Sequence, residues 1–130
     1  MTVRVLVVDD EPDVESLFRQ QFRREVKQGV YTIDFATSGA AALEKLSEST
    51  GERIILLVSD INMPGMSGLD LLPLVRARRP ELPVFMISAY GDDNTVALAH
   101  DRGARKFLAK PVDFPELKAA ISAVIAEVGP

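Results

Sequence analysis

VRVLVVDDEP, residues 3–12, is the stretch that decides the fold, because an apolar run ends there in three acidic residues and a proline. Four further short apolar runs follow along the chain, at residues 31–35, 54–58, 84–87 and 107–108. Longer amphipathic segments separate these runs. The alternation predicts five parallel strands in one sheet, with helices packed on both of its faces.

The segments between the runs carry apolar residues at helical spacing. The first segment predicts one long helix with an apolar face made of Val14, Leu17, Phe18, Phe22 and Val26. Further helices are predicted at residues 40–46, 68–77 and 93–102, and after Asp113. Pro73 lies inside one of them, and we expect it to remove a hydrogen bond and bend that helix.

The composition is that of an ordinary globular domain, with 130 residues, 47% of them hydrophobic and 26% charged, and a formal net charge of −4. The sequence has no cysteine and one histidine, His100, which argues against thiolate metal sites, disulfides and histidine-based catalytic centres. No apolar run reaches the length of a membrane span, and the acidic balance does not favour nucleic acid. We therefore expect one cytoplasmic domain over residues 1–130, with no membrane span and no direct contact with nucleic acid.

Polar side chains follow four of the predicted strands. Asp9 and Asp10 come after the first strand, Asp60 after the third, Ser88 after the fourth and Lys110 after the fifth. The carboxyl ends of parallel strands meet at one edge of a sheet, where open α/β sheets bind their ligands, so we expect these groups to converge. Carboxylates held close together repel one another, and an oxygen-only ligand set of this kind suits Mg²⁺.

Asp60 is the candidate nucleophile at this edge. A carboxylate can attack phosphorus and form an aspartyl phosphate. The transferred phosphoryl group needs positive partners around its oxygens, and a metal ion together with Lys110 would provide them, with the Ser88 hydroxyl nearby. The residues therefore predict a Mg²⁺-dependent transfer of a phosphoryl group to Asp60.

Four motifs, taken together and in order, resemble the receiver domain of two-component response regulators. They are VLVVDDEP, SDINMPGMSGLDLL, VFMISAY and GARKFLAKPVDFPEL, and they lie between residues 5 and 117. The resemblance implies a flavodoxin-like (CheY-like) α/β fold, a doubly wound sheet of five parallel strands in the order 2-1-3-4-5 with five helices in a three-layer α/β/α arrangement. It also implies a self-phosphorylating switch that loses its phosphate slowly, rather than a turnover enzyme.

The same resemblance implies a role for each residue of the acidic edge. Asp60 would be the phospho-acceptor and, together with Asp10, a direct Mg²⁺ ligand. The backbone carbonyl of Asn62 would be a third ligand, and Asp9 would act through water. Lys110 would pair with the phosphoryl oxygens, and the bond between Lys110 and Pro111 is expected to be cis.

Three residues are implied in the switch itself. Ser88 would move to bond the phosphate, Phe107 would turn inward after it, and Tyr90 would lie on the surface that changes. The signal would leave through the face made by the fourth predicted helix, the fifth strand and the fifth helix. The partner that binds this face would be an output protein, an attached output domain or a second copy of the chain. The phosphoryl group would come from a histidine kinase, a phosphotransfer protein or a small phosphodonor.

Three other functions compete with this one. A flavodoxin-type carrier of FMN would need amide donors in the first loop, where Asp9, Asp10 and Glu11 instead repel a phosphate. A phosphatase with an aspartate nucleophile would carry an acid at position 62, which is Asn62 here. A degenerate receiver that only binds partners, without phosphorylation, is the alternative kept open.

A basic stripe lies outside the predicted site. Arg19, Arg23 and Lys27 stand at i, i+4 and i+8, with Arg24 beside them. Such a stripe is either a solvated face or a docking surface for an acidic partner, and the sequence leaves both interpretations open. The segment 22–29, which carries most of the stripe, also makes the first helix connection longer than is usual in the receiver family.

Overall fold

The computed structural model describes residues 3–48, 53–89 and 92–128. Its strands are β1 (Arg4–Val8), β2 (Thr32–Ala36), β3 (Ile54–Asp60), β4 (Val84–Ser88) and β5 (Lys106–Ala109). They form one parallel sheet in the order β2-β1-β3-β4-β5. The predicted sheet and strand order are confirmed. β3 is longer than predicted, so Asp60 is the last residue of this strand rather than part of the following loop.

Six helices lie within the described residues, one more than the five expected. They are α1 (Pro12–Gln21), α2 (Arg23–Lys27), α3 (Gly39–Ser47), α4 (Gly68–Arg78), α5 (Asp93–Asp101) and α6 (Phe114–Val128). The prediction of one long first helix is wrong, because the chain turns between α1 and α2. None of the helices in the described ranges is long and apolar enough to cross a membrane.

Phe22 is the residue at which α1 ends and α2 begins, and its φ of −102° and ψ of 10° depart from helical values. Its ring is fully buried and packs against the rings of Phe18, Tyr31 and Phe114. The turn lets this one ring occupy the aromatic core. Val26, which the helical spacing assigned to the same buried face, is left 41% exposed.

Helices cover both faces of the sheet. α1 and α6 pack on one face, and α3, α4 and α5 pack on the other. The central strand β1 serves both cores, because Val5 and Val7 face the first and Leu6 and Val8 face the second. The predicted three-layer arrangement is therefore confirmed.

Pro73 lies inside α4 and cannot donate a hydrogen bond to Leu69, four residues earlier. The Leu69 carbonyl instead accepts a 2.7 Å hydrogen bond from the guanidinium of Arg102, the C-cap residue of α5. The helix continues past the proline to Arg78. The hydrogen bond that the proline removes within α4 is thus replaced by one between α4 and α5.

Candidate functional site

The polar residues predicted to converge do meet at the carboxyl edge of the sheet. Asp9 and Asp10 follow β1, Asp60 ends β3, Ser88 ends β4 and Lys110 follows β5. Because β1, β3, β4 and β5 are neighbours in the sheet, the strand order alone brings these five residues to one edge.

Three carboxylates form the centre of this edge. Asp9, Asp10 and Asp60 each place one oxygen so that the three atoms lie within 4.8 Å of one another. Asp9 and Asp60 are only 8% and 5% exposed. Burial raises the pKa of the Asp9 carboxyl, and the charges of Asp60 and Asp10 raise it further, against a hydrogen bond from the Glu11 backbone and the charge of Lys110. Such an arrangement costs folding free energy unless a cation compensates it.

Lys110 brings positive charge to the carboxylates. Its Nζ lies 3.2 Å from Oδ2 of Asp60 and 3.9 Å from Oδ2 of Asp9. The backbone N–H of Lys110 donates to the Ser88 carbonyl at 3.0 Å, which ties this residue to β4. The peptide bond between Lys110 and Pro111 is cis, as expected.

The donor set of the cluster fits Mg²⁺. The three grouped side chains offer hard carboxylate oxygens, and neither histidine nor cysteine joins them within the described residues. Two of the carboxylates are oriented by backbone donors. Oδ1 of Asp9 accepts from the N–H of Glu11 at 2.9 Å, and Oδ1 of Asp60 accepts from the N–H of Asn62 at 3.4 Å. The site therefore suits a divalent cation with carboxylate and water ligands.

The loop between β3 and α4 contains a residue that the sequence analysis missed. Gly68 begins α4, and its N–H donates to the Ile61 carbonyl at 2.9 Å. A Cβ atom at this position would overlap the backbone carbonyl oxygen of Asp60. Only glycine lets α4 start directly against the end of β3. The neighbouring Ser67 caps α4 by accepting a hydrogen bond from the backbone N–H of Asp70, which marks the start of the helix but not the need for glycine.

The sequence model of the response regulator receiver domain matches residues 5–122, from β1 into α6. The chain belongs to the response regulator receiver domain family. It is 35% identical over 123 residues to the response regulator protein PilR of Pseudomonas aeruginosa, and 35% identical over 122 residues to the DNA-binding transcriptional regulator NtrC of Escherichia coli. Both alignments cover 94% of this chain but only 26% and 24% of those proteins, so the chain spans about a quarter of their length.

A solved receiver domain shows the same architecture. The crystal structure of the response regulator receiver domain protein from Clostridium thermocellum superposes with a TM-score of 0.84 at 26% sequence identity. The superposition covers 96% of this chain and 95% of that one. The agreement extends over nearly the whole receiver fold.

Two of the three residues predicted to act in the receiver switch, Ser88 and Phe107, lie on β4 and β5. Ser88 is fully buried, and its hydroxyl accepts a 3.2 Å hydrogen bond from Nδ2 of Asn62. Phe107 pairs in register with Met86 and packs, partly buried, against the core beneath α4 and α5. Tyr90 lies outside the described residues. The resemblance to the receiver family implied a role only for the backbone carbonyl of Asn62, and the structure adds this contact of its side chain.

An apolar groove of about 510 Å³ lies beside the carboxylates of the receiver. Asp9, Asp60 and Lys110 contribute to its lining, together with apolar residues of α1 and of the segment after β5: Val14, Leu17, Phe18, Pro111, Val112 and Phe114. Leu17 is 43% exposed, although its spacing assigned it to the core. Periodicity could not reveal the groove, because it depends on the gap between α1 and a segment distant in the sequence.

Proposed function

We propose that this receiver is a phosphorylation switch in which Asp60 accepts a phosphoryl group from a histidine kinase, a phosphotransfer protein or a small phosphodonor. The observation that carries the proposal is the position of Asp60. This buried carboxylate has the Lys110 ammonium 3.2 Å away and two further carboxylates beside it. The arrangement supplies a nucleophile, a cation and a set of metal ligands within one site.

In the proposed step, a carboxylate oxygen of Asp60 attacks the phosphorus of the donor. A P–O bond forms, the bond between phosphorus and the donor breaks, and the donor leaves with the bonding electron pair. Lys110 would donate to the phosphoryl oxygens, where negative charge is concentrated during transfer. The product is an acyl phosphate on Asp60. Whether the leaving group also takes up a proton depends on the donor.

Asp10 and Asp60 would hold Mg²⁺ directly, with the Asn62 backbone carbonyl as a third ligand and Asp9 acting through water. When bound, the ion would supply positive charge that offsets the clustered carboxylates and the phosphoryl oxygens. Lys110 lies within 3.9 Å of both Asp9 and Asp60, so its charge acts on the same carboxylates.

The proposed receiver is a switch rather than a turnover enzyme. Position 62 carries Asn62, whose side-chain amide donates to Ser88 and whose backbone N–H donates to Asp60. A neutral side-chain amide cannot act as a general acid or base for rapid hydrolysis. The aspartyl phosphate would therefore be lost slowly. We propose that the reaction takes place in the cytoplasm. A protein donor would bind at the apolar groove beside Asp60.

The proposed switch passes through Ser88 and Phe107. The Ser88 hydroxyl, now bonded to Asn62, would turn to the new phosphate and allow Phe107 to move inward. This would alter the face formed by α5, β5 and α6, which would bind an output protein, an attached output domain or a second copy of the chain. A phosphate adds about −1.5 to −2 charge and three acceptor oxygens, which is sufficient to bias two packing states that differ by a few kcal/mol.

A test of phosphorylation separates this proposal from a degenerate receiver that only binds partners. We expect acetyl phosphate to add one phosphoryl group to the chain in the presence of Mg²⁺ and none in the presence of EDTA, as measured by intact mass spectrometry. The degenerate receiver predicts no addition in either condition. Its support is weaker because the nucleophile, the lysine and the carboxylate cluster are all in place.

A further inference from the structure

A second charged region lies at the opposite edge of the sheet from Asp60. Arg23, Arg24 and Lys27 are exposed on α2, the helix that leads back to the amino end of β2. No ion pair involves them within the described residues. Of the neighbouring acids, Glu15 pairs with Arg19, and Glu25 pairs with Lys118 and also attracts the charge of Arg24.

The three cations border a shallow, open depression in the surface. It has a volume of about 560 Å³ and is lined by cationic and amide residues: Gln20, Gln21, Arg23, Arg24, Lys27 and Lys118. We call these six residues the α2 basic surface. No carboxylate contributes to its lining.

The backbone beneath this surface is held in place from the inside. Phe22 is fully buried in the aromatic core, and Lys118 Nζ lies 5.4 Å from the centre of its ring. Glu25 points inward to Lys118 at 3.1 Å. At the far end, Gly29 has a φ of 74° and donates to the Val26 carbonyl, which closes the turn. A fixed backbone reduces the ordering that a partner must impose on binding.

We propose that the α2 basic surface docks an acidic segment of a partner protein. The first argument is charge complementarity, since Arg23, Arg24 and Lys27 of this surface form no ion pair within the described residues, on a chain whose net charge is −4. On a chain of net negative charge, a cluster of exposed cations is a place that can attract an acidic segment. Val26 and Val30, 41% and 46% exposed, lie next to the cations in sequence and suit an apolar side chain between the acids.

The same observations disfavour nucleic acid as the occupant. A duplex needs many phosphate contacts to bind at physiological salt, whereas this surface offers only four cations, one of them paired with Glu25. Stacking of single-stranded bases requires exposed aromatic rings. The large hydrophobic side chains that are exposed in the described residues are valines and leucines.

The test is binding of a labelled synthetic peptide that repeats two glutamates and a leucine, followed by fluorescence anisotropy at low and high salt. We expect the triple variant Arg23→Glu, Arg24→Glu, Lys27→Glu to bind at least about tenfold more weakly than the wild type. The matched control is Lys45→Glu, Arg53→Glu, Arg78→Glu, which makes the same change in net charge on other surfaces. It should bind within about twofold of the wild type.

Amide chemical shifts of the wild type give a second result that does not depend on whether the variants fold. Peptide addition should move the signals of residues 20–27 and 118. Absence of binding, shifts confined to other regions, or equal weakening in both triple variants would overturn the proposal. Tighter binding of duplex DNA than of the peptide, with the same loss in the Arg23 triple variant, would also overturn it and assign the surface to nucleic acid. Phosphorylation of Asp60 should be unaffected in either variant, so the two proposals fail independently.

Discussion

The two edges of this sheet carry clusters of opposite charge in different environments. At the carboxyl edge, Asp9 and Asp60 are 8% and 5% exposed and lie close to a third carboxylate. At the amino edge, Arg23, Arg24 and Lys27 are exposed to solvent. Buried like charges cost folding free energy, whereas exposed ones are screened. Burial alone therefore indicates a ligand at the carboxyl edge. At the amino edge, the inference also needs the shape of the surface and the absence of ion pairs to its three cations within the described residues.

The largest effect that would sharpen this comparison is expected from Lys110→Ala. Lys110 is the cation that contacts the buried carboxylates, and its removal should slow phosphorylation by acetyl phosphate by about 100-fold or more. The rate would be followed by intact mass spectrometry. Lys106→Ala is the matched control, because Lys106 pairs only loosely with Glu116 at 3.7 Å. Equal phosphorylation rates for the two variants would show that a lysine close to the carboxylates has no special effect on the reaction.

Mg²⁺ affinity should fall next most strongly, in the variant Asp10→Asn. Asp10 offers one of the three clustered oxygens, and losing its charge should weaken the metal by about tenfold or more. Titration calorimetry would measure the affinity, with Asp13→Asn in the exposed first turn of α1 as the control. An Asp10→Asn affinity equal to that of the wild type would show that the ion binds elsewhere or that Asp9 is the principal ligand.

The cost of burying like charges predicts that Asp9→Asn stabilises the metal-free protein. The folded-state pKa of Asp9 is raised, so the folded protein holds this proton more tightly than the unfolded chain does. The ionised carboxylate therefore destabilises the fold above that pKa, and the penalty disappears as the pH falls through it. In EDTA at neutral pH, the variant should gain on the order of 1 kcal/mol in urea unfolding.

That gain in stability should shrink on acidification and again when Mg²⁺ is added, since the ion stabilises the wild-type cluster. A variant that is less stable than the wild type in EDTA at neutral pH would contradict the assignment of repulsion to the carboxyl edge.

The smallest expected effect is a change in amide chemical shifts, and it separates the transmission of the signal from the phosphorylation of Asp60. With beryllofluoride, a mimic of the phosphoryl group, wild-type amides should shift at residues 92–109 while those of α2 stay unchanged. Ser88→Ala should keep the shifts around Asp60 but reduce those at 92–109, because the hydroxyl that would turn from Asn62 to the phosphoryl group is gone. Shifts confined to the loops around Asp10, Asp60 and Lys110 in the wild type would refute the switch.

The sheet and the composition of its carboxyl edge could be predicted because both depend on short-range patterns. Each apolar run ends in or near a polar residue, and parallel pairing then brings Asp9, Asp60 and Lys110 together. The break at Phe22 could not be predicted, since it depends on contacts with Tyr31 and Phe114 that helical spacing does not encode.

Other details of the site and of its supporting helices depend on specific three-dimensional contacts. Asn62 reaches Ser88, and Arg102 replaces the hydrogen bond that Pro73 removes. Gly68 is required by its close approach to Asp60. Each joins residues from different elements, so periodicity and residue type give no sign of them before the elements are assembled.

The central claim is that Asp60 accepts the phosphoryl group, and intact mass spectrometry of Asp60→Asn tests it most directly. The matched control is Asp93→Asn, which removes an exposed carboxylate from the first turn of α5. With acetyl phosphate and Mg²⁺, we predict a single phosphoryl addition on the wild type and on Asp93→Asn, and none on Asp60→Asn. Labelling of Asp60→Asn to the same extent as the wild type would contradict the account.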